Sequence, residues 1–450
     1  MYKKILIASL ALIAGLASCK KDDPTPSPNP PSGLTIDGVA STLEFYQLDT
    51  AHLSVAGVAK DAAAKAVWAV NGAKAAEGAT FDFTTAHPGK YEVTLTVDGK
   101  SAKHTYTVAP RFSEGAFLLN EGNFGNETGS LTYIHPSKKL VIDQAYYRVN
   151  GTKLGNVCQD LAFGNNQVYI LSQLGPKNGG EGLLTIASSN TLEKVKVYND
   201  EALAQSTPTH IAVIRDHIYI RTERDGILRG SSEGGFTPIT GTKKALKQRM
   251  AQIGERLFAL TSDSKVLMIQ GTQVVRELST TPAQLTGIAV SHDGKLWVST
   301  TSPNAILKVD PTPDNFVALD THILDKSISS GFSASSAFFA HGDKLYFTGQ
   351  SSVIYCHDFA TNKTSQVIDV KTIDGVGTSA NMYYNSLGVD PATGELYYAA
   401  FEDYGTYNKK NVTMVLKADG TKLLLKEQVN SFPAGFYFIP NAASRTGANR

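Results

Sequence analysis

Residues 160–171, with the sequence DLAFGNNQVYIL, contain the pattern that decides the fold. A short apolar stretch, a polar turn and a second apolar stretch with an aromatic residue follow one another. This pattern is typical of two antiparallel β-strands joined by a tight turn. It recurs along the chain, and the aromatic residues that mark its second strand are Tyr169, Tyr219, Phe258, Trp297, Tyr346 and Tyr397. The intervals between them are 50, 39, 39, 49 and 51 residues, which indicates the four-stranded blades of a β-propeller.

The two ends of the repeat region complement each other. Residues 116–119 (AFLL) lie about one repeat before Tyr169 and have the character of a second strand, but no inner strand precedes them. Residues 435–440 (GFYFIP) supply an inner-strand pattern at the far end. The sequence therefore predicts an all-β protein whose residues 111–440 form a seven-bladed β-propeller closed by the C-terminal strand, which leaves no open sheet edge. Residues 441–450 are predicted to be a polar tail.

Composition and charge narrow the class of protein. Of 450 residues, 42% are hydrophobic and 18% charged, which excludes a wholly disordered chain. Without residues 1–18, which contain Lys3 and Lys4, 40 Lys and Arg stand against 41 Asp and Glu. This balance argues against nucleic-acid binding. Three cysteines exclude a disulfide-rich scaffold. Cys158 and Cys356 are predicted to be buried, with a bridge between them as the less favoured alternative.

The amino terminus reads as a leader for export. Two lysines precede a largely apolar region of twelve residues, 5–16, whereas a membrane-spanning helix needs about 20. The following residues 16–19 (LASC) resemble a bacterial lipobox, so residues 1–18 are predicted to be a lipoprotein signal peptide and Cys19 the lipidated residue. An ordinary signal peptide with a chance cysteine is the alternative. Residues 19–33 are proline-rich and predict a semi-rigid linker.

Residues 20–23 (KKDD) resemble the export signal of surface lipoproteins in Bacteroidetes. This resemblance implies a lipid-anchored protein of the outer membrane that faces the cell exterior.

Beyond the linker, residues 34–110 contain the strand VWAV at 67–70, an Asn-Gly turn, and the alternating strand YEVTLTV at 91–97. They resemble a PKD or immunoglobulin-like β-sandwich, in which Trp68 is predicted to lie in the core.

Three loops between second and third strands carry the candidate binding residues. Such loops share one face of a propeller and vary while the blades stay rigid. The loops at 120–128, 172–181 and 401–410 are long and combine amides, carboxylates and aromatic rings, as a polar small-molecule site requires. The alternative is that they are glycine-rich turns whose asparagines accept positive φ. The ligand-binding candidates are Asn120, Glu121, Asn123, Phe124, Gln173, Lys177, Asn178, Glu402, Tyr404 and Tyr407.

No catalytic motif stands out. The histidines form neither HxH nor HExxH, and no calcium loop of the EF-hand type is present. Residues 230–234 (GSSEG) match GxSxG by letter, but a polar turn leading to Gly-Phe-Thr-Pro cannot supply the helix that a nucleophile elbow needs. We therefore predict a protein that is not an enzyme and has neither a metal nor a cofactor.

Residues 118–125 (LLNEGNFG), 129–131 (GSL), 156–160 (NVCQD) and 436–440 (FYFIP) together resemble a YncE-like, DUF5074-type propeller family of Bacteroidetes lipoproteins. Its best understood relatives are BtuG-type surface lipoproteins, which capture cobalamin and pass it to a TonB-dependent transporter. The resemblance implies a corrinoid ligand and such a transporter as partner. A glycan-binding surface lipoprotein, or a propeller that binds another protein, are the alternatives. The candidate residues themselves rest on loop position alone.

Overall fold

The computed structural model describes residues 33–39, 44–328, 335–349, 351–381, 387–405, 411–428 and 432–440. The predicted leader, Cys19 and the predicted tail lie outside the described residues. The chain divides into two compact units. The first holds residues up to 41 together with 51–83 and 91–106, and the second holds residues 42–50, 84–90 and 107–450. Within the described ranges, no helix is long and apolar enough to cross a membrane.

The strands before residue 110 form two sheets, of three strands in the order β1-β3-β6 and of five strands in the order β2-β8-β7-β4-β5. They are β1 (Thr35–Asp37), β2 (Phe45–Tyr46), β3 (Thr50–Ala56), β4 (Val67–Val70), β5 (Ala73–Glu77), β6 (Thr80–Thr84), β7 (Gly89–Val97) and β8 (Lys100–Ala109), with one short helix, α1 (Lys60–Ala63). The alternation in residues 91–97 becomes the half-buried strand β7. Trp68 is fully buried, as predicted, and its indole N–H donates to the Gly78 carbonyl at 2.9 Å.

Beyond residue 110, the described residues form seven four-stranded antiparallel sheets. The first three contain β9 (Ala116–Asn120), β10 (Ser130–His135) and β11 (Leu140–Ile142); β12 (Asn156–Gly164), β13 (Gln167–Gly175), β14 (Leu184–Ser188) and β15 (Lys194–Tyr198); and β16 (Pro208–Ile214), β17 (His217–Thr222), β18 (Gly226–Ser231) and β19 (Gly234–Pro238). The next two contain β20 (Ala251–Ile253), β21 (Arg256–Leu260), β22 (Lys265–Gln270) and β23 (Gln273–Ser279); and β24 (Gln284–Val290), β25 (Leu296–Thr301), β26 (Ala305–Val309) and β27 (Ala318–Ile323). The last two contain β28 (Phe338–His341), β29 (Lys344–Phe347), β30 (Val353–Asp358) and β31 (Lys363–Asp369); and β32 (Leu387–Val389), β33 (Leu396–Phe401), β34 (Asn411–Leu416) and β35 (Lys422–Gln428).

The fourth strand of the first of these sheets is β36 (Pro433–Phe438), which pairs with β9 so that Phe436 lies opposite Leu118. Short helices occur between strands, namely α2 (Ala145–Asn150), α3 (Glu201–Ser206) and 3-10 turns at Lys177–Gly179, Val370–Thr372 and Gly377–Ala380. The predicted all-β class is confirmed. Each of the six marker aromatics lies in the second strand of its sheet, as the sequence pattern predicts.

The core of the second unit lies between sheets that are neighbours along the chain. Phe117 of β9, for example, packs in one apolar cluster with Val168 of β13. A further cluster joins Tyr397 of β33 with Leu118 of β9 and Phe436 of β36. Strands that are covered on both faces need apolar residues at successive positions, which explains why the second strands read as nearly continuous apolar runs.

Antiparallel pairing sets which segments share one end of these sheets. Asn156, at the start of β12, pairs with Gly175 at the end of β13. Pro433, at the start of β36, likewise pairs with Asn120 at the end of β9. The segment before an inner strand therefore lies beside the loop that follows the second strand.

Cys158 and Cys356 are free thiols and both are buried, as predicted, so the alternative of a bridge is wrong.

Candidate functional site

Glu121, the first residue of the β9–β10 loop, is held on three sides. Its main-chain N–H donates to the Phe432 carbonyl at 2.6 Å, and its carbonyl accepts from the Cys158 N–H at 3.0 Å. Its side-chain carboxylate accepts a hydrogen bond from Gln159 Nε2 at 2.7 Å. The loop is thus tied to the segment before β36 and to the start of β12, so the position of this carboxylate is fixed by two other strands.

The three other candidates among residues 120–128 differ in exposure. Asn120 is fully buried, and its amide donates to the hydroxyls of Ser130 and Thr132 across the hairpin, each at 3.2 Å. This position suits bracing of the hairpin rather than contact with a ligand on the loop surface. The Asn123 carbonyl accepts the main-chain N–H groups that close the turn, and the Asn123 side chain is half-buried. The Phe124 ring, in contrast, is 64% exposed.

The β13–β14 loop packs against the β9–β10 loop. The Asn178 amide donates to the Gly125 carbonyl at 2.6 Å, and Asn178 itself adopts a φ of 59°. The exposed Lys177 places its ammonium beside Gly125. Gln173 is half-buried near the end of β13. The structure therefore brings Lys177 and Asn178 to the loop that carries Phe124, with the asparagine amide used to join the two loops.

Aromatic rings meet where the β33–β34 loop begins. Phe401, Tyr404 and Phe432 form a triplet whose ring centroids are separated by 5.2–6.0 Å. Tyr404 is 46% exposed, and partial burial together with the nearby Glu121 carboxylate raises the pKa of its phenol. Glu402 is half-buried beside this triplet in sequence. Tyr407, the remaining candidate, lies outside the described residues.

A charged cluster, consisting of Glu121, Gln159, Arg221, Glu223 and Lys247, adjoins the triplet. Arg221 is buried and pairs with Glu223 at 3.0 Å, and the Lys247 ammonium lies 3.9 Å from the same carboxylate. Burial lowers the pKa of Lys247, while Glu223 and Glu121 act in the opposite direction. Of these five, the sequence pointed only to Glu121. The others stand on, just after or before strands of three separate sheets and carry no local motif.

The Arg249 side chain contacts residues of two inner strands, β12 and β36. The Arg249 guanidinium lies 4.5 Å from the centroid of the Tyr437 ring, and one of its N–H groups donates to the Ala434 carbonyl at 3.1 Å. Its Nε lies 3.8 Å from the Asp160 carboxylate, which accepts the Tyr437 hydroxyl at 2.6 Å. Burial raises the pKa of the Asp160 carboxyl. His210, also buried, lies within 3.1 Å of the Ser335 hydroxyl.

We name the loop face as the described surface formed by residues 121–128, 176–182 and 402–405, together with the charged cluster and Phe432. It combines hydrogen-bonding groups of both charges with exposed aromatic rings. Across the described residues, no three His, Cys, Asp or Glu side chains are grouped to hold a metal ion. The GSSEG segment at 230–234 lies in the β18–β19 hairpin, in a strand-turn-strand setting unlike that of a nucleophile elbow.

Comparison with known proteins gives a family and a fold. A family model described as a domain of unknown function, DUF5074, matches residues 114–440. None of the curated proteins matches the chain. A quinonprotein alcohol dehydrogenase-like protein from Bacteroides thetaiotaomicron aligns over 88% of this chain and 95% of its own, with 14% identity and a TM-score of 0.58. A protein from Lactobacillus plantarum aligns over 72% and 99%, with 13% identity and a TM-score of 0.48. At 14% identity the likeness to the Bacteroides thetaiotaomicron protein concerns the fold alone.

Proposed function

We propose that this chain, which belongs to the DUF5074 family and has a β-propeller fold, captures a small polar molecule at its loop face without transforming it. The observation that carries the proposal is the meeting of the aromatic triplet and the charged cluster at Glu121. An exposed tyrosine beside partly buried carboxylate, amide and ammonium groups offers apolar contact and directional hydrogen bonds on one surface. A preformed surface of this kind binds with little loss of entropy.

The scaffold is proposed to be a seven-bladed propeller, with each four-stranded sheet as one blade. The pairing of β36 with β9 and the apolar cluster of Tyr397, Leu118 and Phe436 support closure of the ring by the C-terminal strand. The two sheets before residue 110 support an immunoglobulin-like domain as a spacer. A lipid on Cys19 and a position on the outer surface of the outer membrane complete the proposed setting, with a TonB-dependent transporter as the partner that receives the ligand.

The first ligand to test is a corrinoid. Such a molecule is large, flat and bordered by amide side chains, so it can exchange hydrogen bonds with Glu121 and Lys247. Its apolar edges can be covered by Tyr404 and Phe124, which are 46% and 64% exposed. Aromatic side chains contribute large contact areas at low entropic cost.

Calorimetric titration with cyanocobalamin tests this proposal. The full chain carrying Cys19→Ser, which cannot be acylated, is expected to bind one equivalent and to keep the corrinoid colour after gel filtration. The double variant Tyr404→Ala, Phe124→Ala should weaken binding by more than about tenfold, because both apolar contacts are lost. A matched control is Leu319→Ala, Ile323→Ala on β27, whose side chains are also exposed, by 56% and 63%.

Three outcomes separate the elements of the proposal. If no heat or colour is observed at high micromolar cyanocobalamin, the corrinoid assignment is wrong, and retardation on polysaccharide gels becomes the next assay. If cyanocobalamin binds but the aromatic double variant binds equally well, the assignment of the loop face is wrong. If both double variants weaken binding alike, the effect is one of general stability and the loop face again loses its support.

A further inference from the structure

The inner strands of the second unit line an open cavity of about 370 Å³. It extends from Arg249 and Ser335, just before β20 and β28, to Val290, Pro391 and Phe438 at the opposite ends of β24, β32 and β36. The loop face lies at the end where the inner strands begin, so the cavity runs away from it. Its volume lies within the range of about 300–1,000 Å³ that small-molecule sites occupy.

Most of the wall of this cavity is apolar. Six inner strands or the residues beside them contribute side chains to it, among them Phe163, Met250, Ile288, Phe339 and Phe438. Phe163, Ile288 and Phe339 are half-buried, and each packs against a core cluster between sheets while it also lines the cavity. A wall of this composition favours the apolar part of a ligand, because burying apolar area removes it from contact with water.

One end of the cavity is polar, and its charge belongs to Arg249. The guanidinium carries five N–H donors in a planar fork. The hydrogen bond to the Ala434 carbonyl uses one of them. The ring of Tyr437 supports one side of the group at 4.5 Å, and the ring of Phe339 lies 6.0 Å away. Both rings also line the cavity, so the guanidinium is presented beside its apolar wall.

Asp160 forms only a long ion pair with this guanidinium. Its two carboxylate oxygens accept the Tyr437 hydroxyl at 2.6 Å and the Ile211 N–H at 2.8 Å. The distance of 3.8 Å to Arg249 Nε is longer than the 2.7–2.9 Å of a charge-assisted hydrogen bond. The Asp160 side chain is 4% exposed, whereas that of Arg249 is 22% exposed. A molecule that enters the cavity therefore contacts the Arg249 guanidinium before the Asp160 carboxylate.

We propose that this cavity is a second binding site, separate from the loop face, for a small amphipathic carboxylate. The carboxylate would pair with the Arg249 guanidinium, which suits two parallel N–H···O bonds, and the apolar part would pack along Phe339, Ile288 and Phe438. The main-chain position of Gly435 leaves the space that the guanidinium occupies, since a Cβ there would lie 1.4 Å from Arg249 Nη2.

Octanoate is the probe, with octan-1-ol as the neutral molecule of equal chain length and acetate as the charge without a chain. The full chain with Cys19→Ser is used, because an acyl group could itself enter an apolar cavity. Calorimetry is expected to show octanoate binding at least about tenfold more tightly than octan-1-ol, with no measurable binding of acetate. Arg249→Gln should remove this preference. Arg215→Gln, which removes a cation 72% exposed at the surface, is the matched control and should leave it intact.

The comparison of octanoate with octan-1-ol on the chain that keeps Arg249 tests the proposal even if Arg249→Gln does not fold. Equal affinity for octanoate and octan-1-ol, or no binding of octanoate at millimolar concentration, would overturn the proposal. Loss of octanoate binding in the variant Tyr404→Ala, Phe124→Ala would also overturn it, since the probe would then occupy the loop face. Because corrinoid binding is measured separately on that face, failure of one proposal leaves the other standing.

Discussion

Replacement of Gly435 by alanine tests whether the contact between Arg249 and the C-terminal strand β36 contributes to stability. An added Cβ would lie 1.4 Å from Arg249 Nη2 and 2.7 Å from Arg249 Cζ, so the guanidinium must leave its position. Its hydrogen bond to Ala434 and its contact with the Tyr437 ring are then lost. These contribute about 1.5–3 kcal/mol for a charged hydrogen bond and about 0.5–2 kcal/mol for a cation–π contact. Gly435 also has a φ of +143°, which disfavours alanine.

We expect Gly435→Ala to lower the free energy of unfolding of the second unit by about 3 kcal/mol or more. Gly294→Ala is the matched control, because its φ is +78° and a Cβ there meets nothing within 4 Å; it should cost only about 1 kcal/mol. The assay is urea unfolding followed by the fluorescence of Trp297. The background carries Trp68→Phe, which leaves one of the two tryptophans.

A double-mutant cycle separates the contact from backbone strain. With Arg249→Ala in place, the alanine at position 435 has no guanidinium to displace. Gly435→Ala should therefore cost about 1–2 kcal/mol less in that background than in the wild type. Strict additivity of the two substitutions, or equal effects of Gly435→Ala and Gly294→Ala, would refute the reasoning. The contact of Arg249 with β36 would then contribute nothing to the free energy of unfolding.

Three further predictions concern other parts of the chain. Burial lowers the pKa of His210 and His357, so these groups stay neutral in the folded state, whereas in the unfolded chain they take up protons near pH 6.5. The free energy of unfolding should therefore be constant above that pH and fall below it. Equal urea midpoints at pH 7.5 and pH 5.5 would contradict this. Burial raises the pKa of the Cys158 and Cys356 thiols, so a thiol reagent should label neither before unfolding, which mass spectrometry can check. Trp68→Phe should destabilise the first unit by about 1–2 kcal/mol through the lost indole hydrogen bond, as measured by circular dichroism on heating.

The repeat could be predicted because the second strands have a distinctive sequence, an apolar run that contains an aromatic residue. Tyr169 and Trp297, like the other markers, sit in strands that are covered on both faces, and such strands need apolar and aromatic residues throughout. Inner strands give a weaker signal, since β20 and β32 are three residues long in the structure. Outer strands give less still, because the residues of β27 are mostly exposed and can be polar.

The candidate site was only partly accessible to sequence reasoning. Loop length and composition pointed to Glu121, Phe124 and Tyr404, because local sequence determines which loops are long and polar. Lys247 and Gln159 carry no such mark, and each comes to the loop face through the pairing of strands far apart in sequence. Asn120 shows the opposite case: its residue type suggested ligand contact, whereas burial within the hairpin turns its amide toward two hydroxyl groups.

The pairing of β36 with β9 links the two proposed sites through one strand. Just before it, the Phe432 carbonyl accepts a hydrogen bond from the Glu121 N–H and so helps to place the loop face. Two residues into β36, Gly435 gives the space in which the Arg249 guanidinium lies at the end of the cavity. A weaker β36 should therefore disturb both sites together, whereas a change in the β13–β14 loop should disturb the loop face alone. Both proposed sites thus depend on β36, and the space that the Arg249 guanidinium needs explains a glycine at the third position of this strand, where strand propensity alone would disfavour it.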